Sequence, residues 1–321
     1  MIDAAPPRDR SVAEPRCATL SRAVGLDPVG TTGSHQGYLL VDVALPWPAD
    51  VATIDEVAAV RAVLSGTGIR LQATVPVGHR RVVAYRPPPA GFAPSPALVR
   101  SETIVELSSG EGGDDVTRVV AAVERLMAGT VTEESAGLGG REREVIVCTH
   151  GRRDVCCGGR GTQLHQDLTS SPEPLGAAVS VRRTSHTGGH RFAPTAIVLP
   201  EATAWAYLDV DVLGAIVARA GPIASVLGHY RGWAGLGSPR LQALERAVLA
   251  DVGWDLFDLP RWGEERDGTA RLHVDGQVST TTWEATVSAG RRVPRPDCGE
   301  GVSTNAKVDT EMVVNNLRRV N

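Results

Sequence analysis

The 321-residue sequence contains a single lysine, Lys307, and has no large excess of either charge. Its formal net charge is −4, so the overall charge gives no argument for binding to nucleic acid. It also lacks any apolar run of the roughly 20 residues that a membrane span requires. Residues 1–11 are polar and contain no apolar core of a signal peptide. We therefore expect a cytoplasmic protein that binds neither nucleic acid nor membranes and whose thiols stay reduced.

Cysteine is also scarce, and its distribution does not suit a disulfide framework. The sequence has five cysteines, an odd number, and three of them lie in Cys148-Thr-His-Gly-Arg-Arg-Asp-Val-Cys-Cys157. A second glycine-rich segment, His186-Thr-Gly-Gly-His190-Arg-Phe-Ala-Pro, follows within about forty residues. Soft donors beside glycines indicate a backbone that wraps closely around a bound group. A metal centre is the first hypothesis, and an iron–sulfur cluster is its best candidate.

Strand and helix patterns alternate along the chain and predict an α/β protein of about two domains. The first half has expected strands at 38–44, 70–75, 81–85 and 102–107 and helices at 53–64 and 114–127. Thr53 is the expected N-cap of the first helix, with Glu56 completing a capping box. The second half has strands at 144–148, 177–182 and 195–199, a hairpin partner at 205–208, and helices at 161–168 and 209–220, the latter capped by Asp209. The order strand, helix, strand, strand, strand, helix resembles a thioredoxin-like domain.

The fold prediction is therefore α/β, with two thioredoxin-like α/β units in tandem and the metal site in the second. We expect a disordered N-terminus at 1–16, an N-terminal α/β domain at 17–129, a linker at 130–140 and a thioredoxin-like domain at 141–235. A C-terminal extension at 236–321 follows. It should contain a helix that begins at Ser238-Pro239, a β-hairpin around Asp275-Gly276 and a short helix at 308–320.

Spacing explains how the two motifs could share one metal centre. A strand that ends at Cys148 and a tight loop that returns by Cys157 can place two sulfurs close together. His186 and His190 are four apart, but the two glycines between them predict a loop rather than a helix. The N–H groups of such a loop can approach the sulfides of a cluster. Both loops follow predicted strands, and if those strands are neighbours both loops emerge at the same sheet edge.

The remaining cysteines and histidines have simpler interpretations. Cys17 and Cys298 are expected to be small buried hydrophobic residues. Only one of Cys156 and Cys157 can easily reach a shared metal, so the other should pack inward. His150 forms a Cys-x-His pair with Cys148, a fragment of the Rieske pattern whose Cys-x-x-His half is missing, and a supporting role is favoured. The other histidines are expected to be ordinary surface or half-buried residues, namely His35, His79, His165, His229 and His273.

Three other functions fit parts of the pattern. A structural zinc site could use the same two cysteines and two histidines. A thiol redox protein could use Cys148 as nucleophile with Cys156 and Cys157 as resolving thiols, although the Cys-x-x-Cys motif of such proteins is absent. A phosphatase loop of the Cys-x₅-Arg type is excluded because Asp154 stands six positions after Cys148.

With these motifs in hand, the chain is similar to the sucrase/ferredoxin-like family. The resemblance depends on Cys148-x-His-Gly-x-Arg-Asp…Cys157-Gly and on His186-x-Gly-Gly-His190-Arg-Phe-Ala-Pro. Weaker matches extend it over most of the chain, at Leu39-Leu-Val, Trp47, Tyr230-Arg-Gly-x-x-Gly-Leu, Gln242-Ala-Leu-Glu-Arg and Gly253-Trp254.

The resemblance implies a thioredoxin-like ferredoxin whose [2Fe–2S] cluster is held by Cys148, Cys157, His186 and His190. In the family the residue before the second ligand cysteine need not be cysteine, which supports Cys157 over Cys156. A glycosidase is not expected, since no pair of facing carboxylates stands out. Whether the protein is an enzyme cannot be read from the sequence.

The expected partners are redox proteins, such as a ferredoxin, a flavodoxin or a flavin reductase. No nucleotide-binding fingerprint is present, so electrons must come from such a partner. Arginines flank both ligand loops and could form a positive rim that binds an acidic donor, or could pair with nearby acidic groups and carbonyls. They are Arg152, Arg153, Arg160, Arg182, Arg183 and Arg191.

Overall fold

Strands and helices alternate along the chain, as expected for an α/β protein. The computed structural model describes residues 16–88, 97–106, 113–129, 143–171, 175–176, 178–276, 278–295 and 307–320. The helices are α1 (Cys17–Ala23), α2 (Asp55–Val63), α3 (Gly113–Ala128), α4 (Thr162–Ser170), α5 (Val210–Ala218) and α6 (Pro239–Val252). The strands are β1 (Gly37–Asp42), β2 (Ile69–Thr74), β3 (Arg81–Arg86), β4 (Val99–Ile104), β5 (Arg143–Cys148), β6 (Val179–Thr184), β7 (Ala196–Leu199), β8 (Thr203–Trp205), β9 (Tyr230–Trp233), β10 (Arg261–Arg266), β11 (Thr269–Asp275), β12 (Thr280–Pro294) and β13 (Val308–Arg319). Within these ranges no helix is both long and apolar enough to cross a bilayer.

Nine strands form one mixed sheet in the order β4-β3-β1-β2-β6-β5-β7-β8-β9. In the first half, β1 pairs in parallel with β2 and antiparallel with β3. In the second half, β5 pairs in parallel with β6 and antiparallel with β7 in the same way. The segments from β1 to α3 and from β5 to α5 both follow the order strand, helix, strand, strand, strand, helix. The similar element order of the two halves, expected from the sequence, is confirmed.

The two halves join edge to edge through β2 and β6. These equivalent strands run antiparallel and pair at Thr74 and Thr184, so the halves are related by an approximate two-fold rotation. Backbone hydrogen bonds continue the junction from Val75 N–H to the Arg183 carbonyl (3.1 Å) and from Ser185 N–H to the Ala73 carbonyl (2.8 Å). The described parts of both halves therefore share one sheet. The domain boundaries stay a prediction, and residues 1–15 and the expected linker at 130–140 lie outside the described ranges.

A buried ion network crosses this junction. Arg182 on β6 is 3% exposed and contacts two carboxylates, Asp42 on β1 and Glu144 on β5. Tyr85 on β3 donates to the second carboxylate oxygen of Glu144 at 2.5 Å. Burial lowers the pKa of Arg182 to about 10 and raises the pKa of Glu144. Removing one member would leave another charge buried without compensation, so the network ties the two halves together.

A second, antiparallel sheet with the order β10-β11-β12-β13 forms the C-terminal extension. Helix α6 supplies Leu244 and Val248 to one core shared with Leu272 and Trp283 of this sheet. The hairpin predicted around Asp275-Gly276 is confirmed, because β11 and β12 pair across that turn. The helix predicted at 308–320 is wrong. That segment is strand β13, because it pairs antiparallel with β12 from Val308 (opposite Pro294) to Arg319 (opposite Trp283), and its β-branched valines suit an extended backbone.

The helix starts show which cap predictions hold. Asp209 accepts a hydrogen bond from the Val212 N–H (2.9 Å) at α5, and Ser238 accepts one from the Leu241 N–H (3.2 Å) at α6, as predicted. The capping box at α2 is wrong. Thr53 belongs to a preceding 3₁₀ turn, where its hydroxyl donates to the Asp50 carbonyl (2.8 Å), and Glu56 pairs with Arg80 instead. The ion pair between α2 and the residue before β3 thus takes the carboxylate that the predicted capping box required.

Candidate metal centre

The two motif loops leave the nine-stranded sheet at the same edge. Strands β5 and β6 are parallel neighbours, and their last residues, Cys148 and Thr184, are paired. Cys148 is 1% exposed, and its N–H donates to the Thr195 carbonyl (3.0 Å). The histidine loop continues directly from β6. The neighbouring strands on which the sequence argument depended are therefore present.

Asp154 folds the cysteine loop, residues 148–157, back toward the sheet. One carboxylate oxygen, Oδ1, accepts from the N–H groups of Cys156 (2.8 Å) and Cys157 (3.3 Å) and so begins a helical turn. This turn, Cys157–Gly161, is π-helical and continues into α4. Gly161 lies against β5 so closely that a Cβ there would clash with the Cys148 carbonyl oxygen. Glycine at this position thus allows Cys157 to approach Cys148.

The histidine loop, residues 186–190, turns at a pair of glycines. Gly188 (φ +84°) and Gly189 (φ +74°) both adopt the left-handed conformation, so the prediction of a loop rather than a helix is confirmed. Arg231 donates to the Gly188 carbonyl (3.1 Å), and Arg70 donates to the His186 carbonyl (3.2 Å). Two guanidinium groups thus hold the loop backbone in place.

Three donor atoms from the two loops come together. The sulfurs of Cys148 and Cys157 and a nitrogen of His186 all lie within 4.8 Å of one another. His186 Nδ1 is 4.0 Å from Cys148 Sγ and 3.9 Å from Cys157 Sγ. Two ligands of one tetrahedral ion lie roughly 3.5 Å apart, since each is about 2.0–2.3 Å from the metal. The spacing of the three donors is therefore close to what one metal ion requires.

The two thiols of this group are electrostatically unequal. A hydrogen bond from Cys157 is the largest influence on Cys148 and lowers the pKa of its thiol well below the ordinary value. His186 acts in the same direction and burial opposes it. The pKa of Cys157 is raised, first by that hydrogen bond and then by burial. Cys148 is thus the thiol that ionises first, which suits a metal ligand or a nucleophile.

His190 lies beside this group but faces different partners. Its ring centroid is 6.1 Å from that of His186. Its Nδ1 atom is 2.7 Å from Asp154 Oδ2 and 3.3 Å from Cys17 Sγ, and these three residues form a second group of potential metal donors. Because Asp154 occupies Nδ1, the nitrogen that remains for a metal is Nε2. A carboxylate on the far nitrogen is a common way to orient a histidine ligand.

In donor type, the four predicted ligands suit either a single zinc ion or a [2Fe–2S] cluster, and the structure groups three of them, Cys148, Cys157 and His186, within 4.8 Å. Two thiols and two imidazoles satisfy the preferences of zinc and also those of a cluster with mixed ligation. Cys148 and Cys157 are buried, whereas His186 and His190 are half-buried. The histidine side is therefore the side of the centre nearer to solvent.

Comparison with known proteins identifies the family. A model of the sucrase/ferredoxin-like family matches residues 28–232. The chain belongs to the sucrase/ferredoxin-like family. Neither a curated protein nor a solved structure matches the chain.

The family match contains all four predicted ligands but leaves other parts of this sucrase/ferredoxin-like chain outside. Cys17 precedes the matched residues, and the sheet β10-β11-β12-β13 follows them. Cys17 is the donor that sequence reasoning missed, since it was interpreted as an ordinary buried hydrophobic residue. Nothing in its local sequence indicates that α1 docks beside a histidine 173 positions later.

His150 occupies a supporting position in this family member. It is 3% exposed, its Nε2 atom is 2.7 Å from the Pro48 carbonyl oxygen, and its ring makes an edge contact with Trp47. His150 and Trp47 line a groove of about 470 Å³ beside the cysteine loop, together with Arg152 and Arg183. His150 thus connects the loop to the N-terminal half.

The six flanking arginines divide into two classes. Arg182 and Arg191 are buried and paired with carboxylates, the latter with Asp309 on β13 (Arg191 Nη2 to Oδ1, 3.0 Å), so neither belongs to a surface rim. Arg182 and Arg191 are buried because of contacts with residues distant in the chain, which the sequence does not show. The other four are half-buried or exposed, namely Arg152, Arg153, Arg160 and Arg183.

Proposed function

We propose that this protein is a thioredoxin-like ferredoxin that carries a [2Fe–2S] cluster and transfers one electron at a time. Cys148, Cys157, His186 and His190 would hold the cluster. The observation that carries the proposal is the convergence of donors from two separate loops, within 4.8 Å for Cys148, Cys157 and His186. The repeated strand order of the two halves supports the thioredoxin-like interpretation.

The donor types predict the redox behaviour. Two neutral imidazoles in place of two thiolates make the oxidised cluster about two charges more positive, so it accepts an electron more readily. We expect a potential between about −150 and +300 mV, far above the roughly −400 mV of all-cysteine plant-type ferredoxins. The histidines are half-buried and the cysteines are buried, so an electron from a partner bound at the surface has a shorter route through the histidines than through the cysteines.

Spectroscopy with counted iron and sulfide tests the proposal. Anaerobically purified protein should be red-brown, contain two irons and two sulfides per chain, and give an EPR signal after reduction. His186→Ala and His190→Ala should lose the cluster or shift its spectrum, whereas His79→Ala, at an exposed position, should leave both unchanged. Protein that is colourless and free of iron overturns the proposal.

Zinc is the second candidate, because the three clustered donors suit a single ion. A colourless protein with one zinc per chain would establish it. A thiol redox function is the third, supported by the lowered pKa of Cys148. In that case iron-free protein would reduce disulfides, and Cys148→Ser would abolish the activity.

We further propose that the donor is an acidic redox protein, such as a ferredoxin, a flavodoxin or a flavin reductase, in the cytoplasm. Arg152 and Arg153 lie in the cysteine loop, are exposed, and offer a positive docking surface. Charge reversal at both should slow reduction by an acidic donor by on the order of 10-fold at low salt. Arg266→Glu, at an 83% exposed site on the second sheet, is the control. An unchanged and salt-insensitive rate contradicts the docking surface.

A further inference from the structure

Two cysteines that the proposed cluster does not use lie side by side. Cys17 Sγ on α1 is 3.4 Å from Cys156 Sγ, and both residues are fully buried. Ala18 and Ala193 complete the small cluster around them. The two sulfurs are 139 positions apart in sequence, so their approach is made entirely by tertiary structure.

Helix α1 is positioned against the turn that carries the candidate ligand Cys157. Arg160 in that turn donates to the Thr19 hydroxyl on α1 at 2.7 Å, and Arg16 packs over Gly159. Helix α1 also reaches the histidine loop, since Cys17 Sγ is 3.3 Å from His190 Nδ1. Helix α1 therefore contacts both loops of the candidate metal centre.

We propose that Cys17 and Cys156 form a reversible disulfide that fastens α1 to the Cys157 turn. A disulfide requires the sulfurs to approach to about 2.05 Å, so from the present separation of 3.4 Å they must move about 1.4 Å closer together. Cys17 lies outside the family match, which begins at residue 28. Neither Cys17 nor Cys156 is among the four proposed ligands, so the pair is separate from the proposed ligand set.

A small peroxide is the oxidant that suits a fully buried pair. One thiol attacks the O–O bond of hydrogen peroxide, so an S–O bond forms, the O–O bond breaks and water leaves. The second thiol then attacks the sulfenic sulfur, an S–S bond forms, the S–O bond breaks and a second water leaves. Two thiols and one peroxide thus give one disulfide and two waters. A dithiol such as dithiothreitol reverses the reaction by exchange.

Peptide mapping of the full chain tests the inference. The protein is treated with hydrogen peroxide, denatured in an alkylating reagent and digested without reduction, and the peptides are identified by mass. We expect a Cys17–Cys156 linked peptide to become the main form of both cysteines and to disappear after dithiothreitol. Glutathione disulfide, which is too bulky for the buried site, should produce far less of it.

Variants and iron content separate this inference from the proposed function. Cys17→Ser and Cys156→Ser should each abolish the cross-link, whereas Cys298→Ser should leave it unchanged. The cross-link should form in iron-loaded and iron-free protein alike, so failure of the cluster proposal does not affect it. Separate alkylation of Cys17 and Cys156 after peroxide, or linkage of Cys156 to Cys148 or Cys157, overturns it. The wild-type map decides the matter even if a variant fails to fold.

Discussion

At the scale of single residues, the candidate centre depends on groups that are not ligands. Gly161 allows the helical turn to lie against the Cys148 carbonyl, and Asp154 both caps that turn and contacts His190. Neither residue contributes a donor atom to the Cys148 group, yet each sets the position of one. These roles lead to two predictions.

Gly161→Ala should destabilise the protein and prevent assembly of the centre. The added Cβ would meet the Cys148 carbonyl oxygen, which belongs to the backbone of a buried strand and cannot move aside. We expect a loss of about 2–3 kcal/mol, measured by urea unfolding, together with reduced metal content. Gly228→Ala is the matched control, because a Cβ there has nothing within 4 Å. Equal stability of the two variants would contradict the close approach.

Asp154→Asn should weaken metal binding without unfolding the turn. The asparagine oxygen can still accept from the Cys156 and Cys157 N–H groups, but it no longer presents a carboxylate to His190 Nδ1. Loss of such a partner typically lowers metal affinity about 10- to 100-fold. Competition with a chelator measures the affinity, and Asp167→Asn on α4 is the control. Unchanged affinity would mean that the Asp154–His190 contact does not support the ligand.

At the scale of elements, the histidine loop is anchored from strands of both halves. Arg70 on β2 donates to the His186 carbonyl, and its Nη1 atom also lies 3.0 Å from His35 Nε2. Burial, together with the charge of Arg70, lowers the pKa of His35 to about 4, so this histidine is neutral in the folded protein at neutral pH. Protonation of His35 would place a second positive charge beside Arg70, so we expect the contact to weaken at low pH.

Stability should fall as the pH drops from about 6.5 to about 4. In that interval the unfolded chain binds a proton at His35 and the folded chain does not, so protonation favours unfolding. The free energy of unfolding, measured with urea, should differ between wild type and His35→Gln by an amount that depends on pH. This dependence has an upper limit of about 1.4 kcal/mol per pH unit, and the actual change should be smaller because the ring is only half-buried. Above pH 7 the difference should be constant. A flat pH profile for the stability difference between wild type and His35→Gln would contradict the lowered pKa of His35.

At the scale of the whole molecule, two similar halves form one sheet and share a buried ion network where they join. The junction between β2 and β6 has few ladder hydrogen bonds, and the buried Arg182 adds an ion pair between the halves through its contact with Asp42. The same junction brings Arg70 of the first half against the histidine loop of the second. The candidate centre is thus supported by both halves, although its predicted ligands all come from one.

Arg182→Met should destabilise the protein by about 3–5 kcal/mol, because it removes the nearest cation from two buried carboxylates. Adding Asp42→Asn and Glu144→Gln should recover part of the loss, since the uncompensated charges are then removed. Arg266→Met, at an 83% exposed site, should have little effect. Urea unfolding measures all of these variants. A triple variant no more stable than Arg182→Met would show that packing, not charge, dominates at the junction.

Much of the centre could be predicted from local sequence. The strand ending at Cys148 and the turn at the two glycines follow from hydrophobic patterns and glycine conformations that depend on near neighbours. The common sheet edge was predicted only on the condition that the two strands are neighbours, and the structure meets that condition. Long-range contacts could not be predicted in this way. The docking of α1 beside His190, the burial of Arg182 and the β13 strand depend on partners far away in the chain.

The sequence by itself determined which donor atoms are available, how they are spaced and that their two segments form loops after strands. Donor chemistry and backbone freedom are properties of the residues themselves, so they can be read without coordinates. Only the tertiary structure decided that Cys157 faces Cys148 and His186, while Cys156 faces Cys17 on a distant helix. The physical reason is that adjacent residues on a helical turn point in different directions, and what each one meets depends on the elements that pack around the turn.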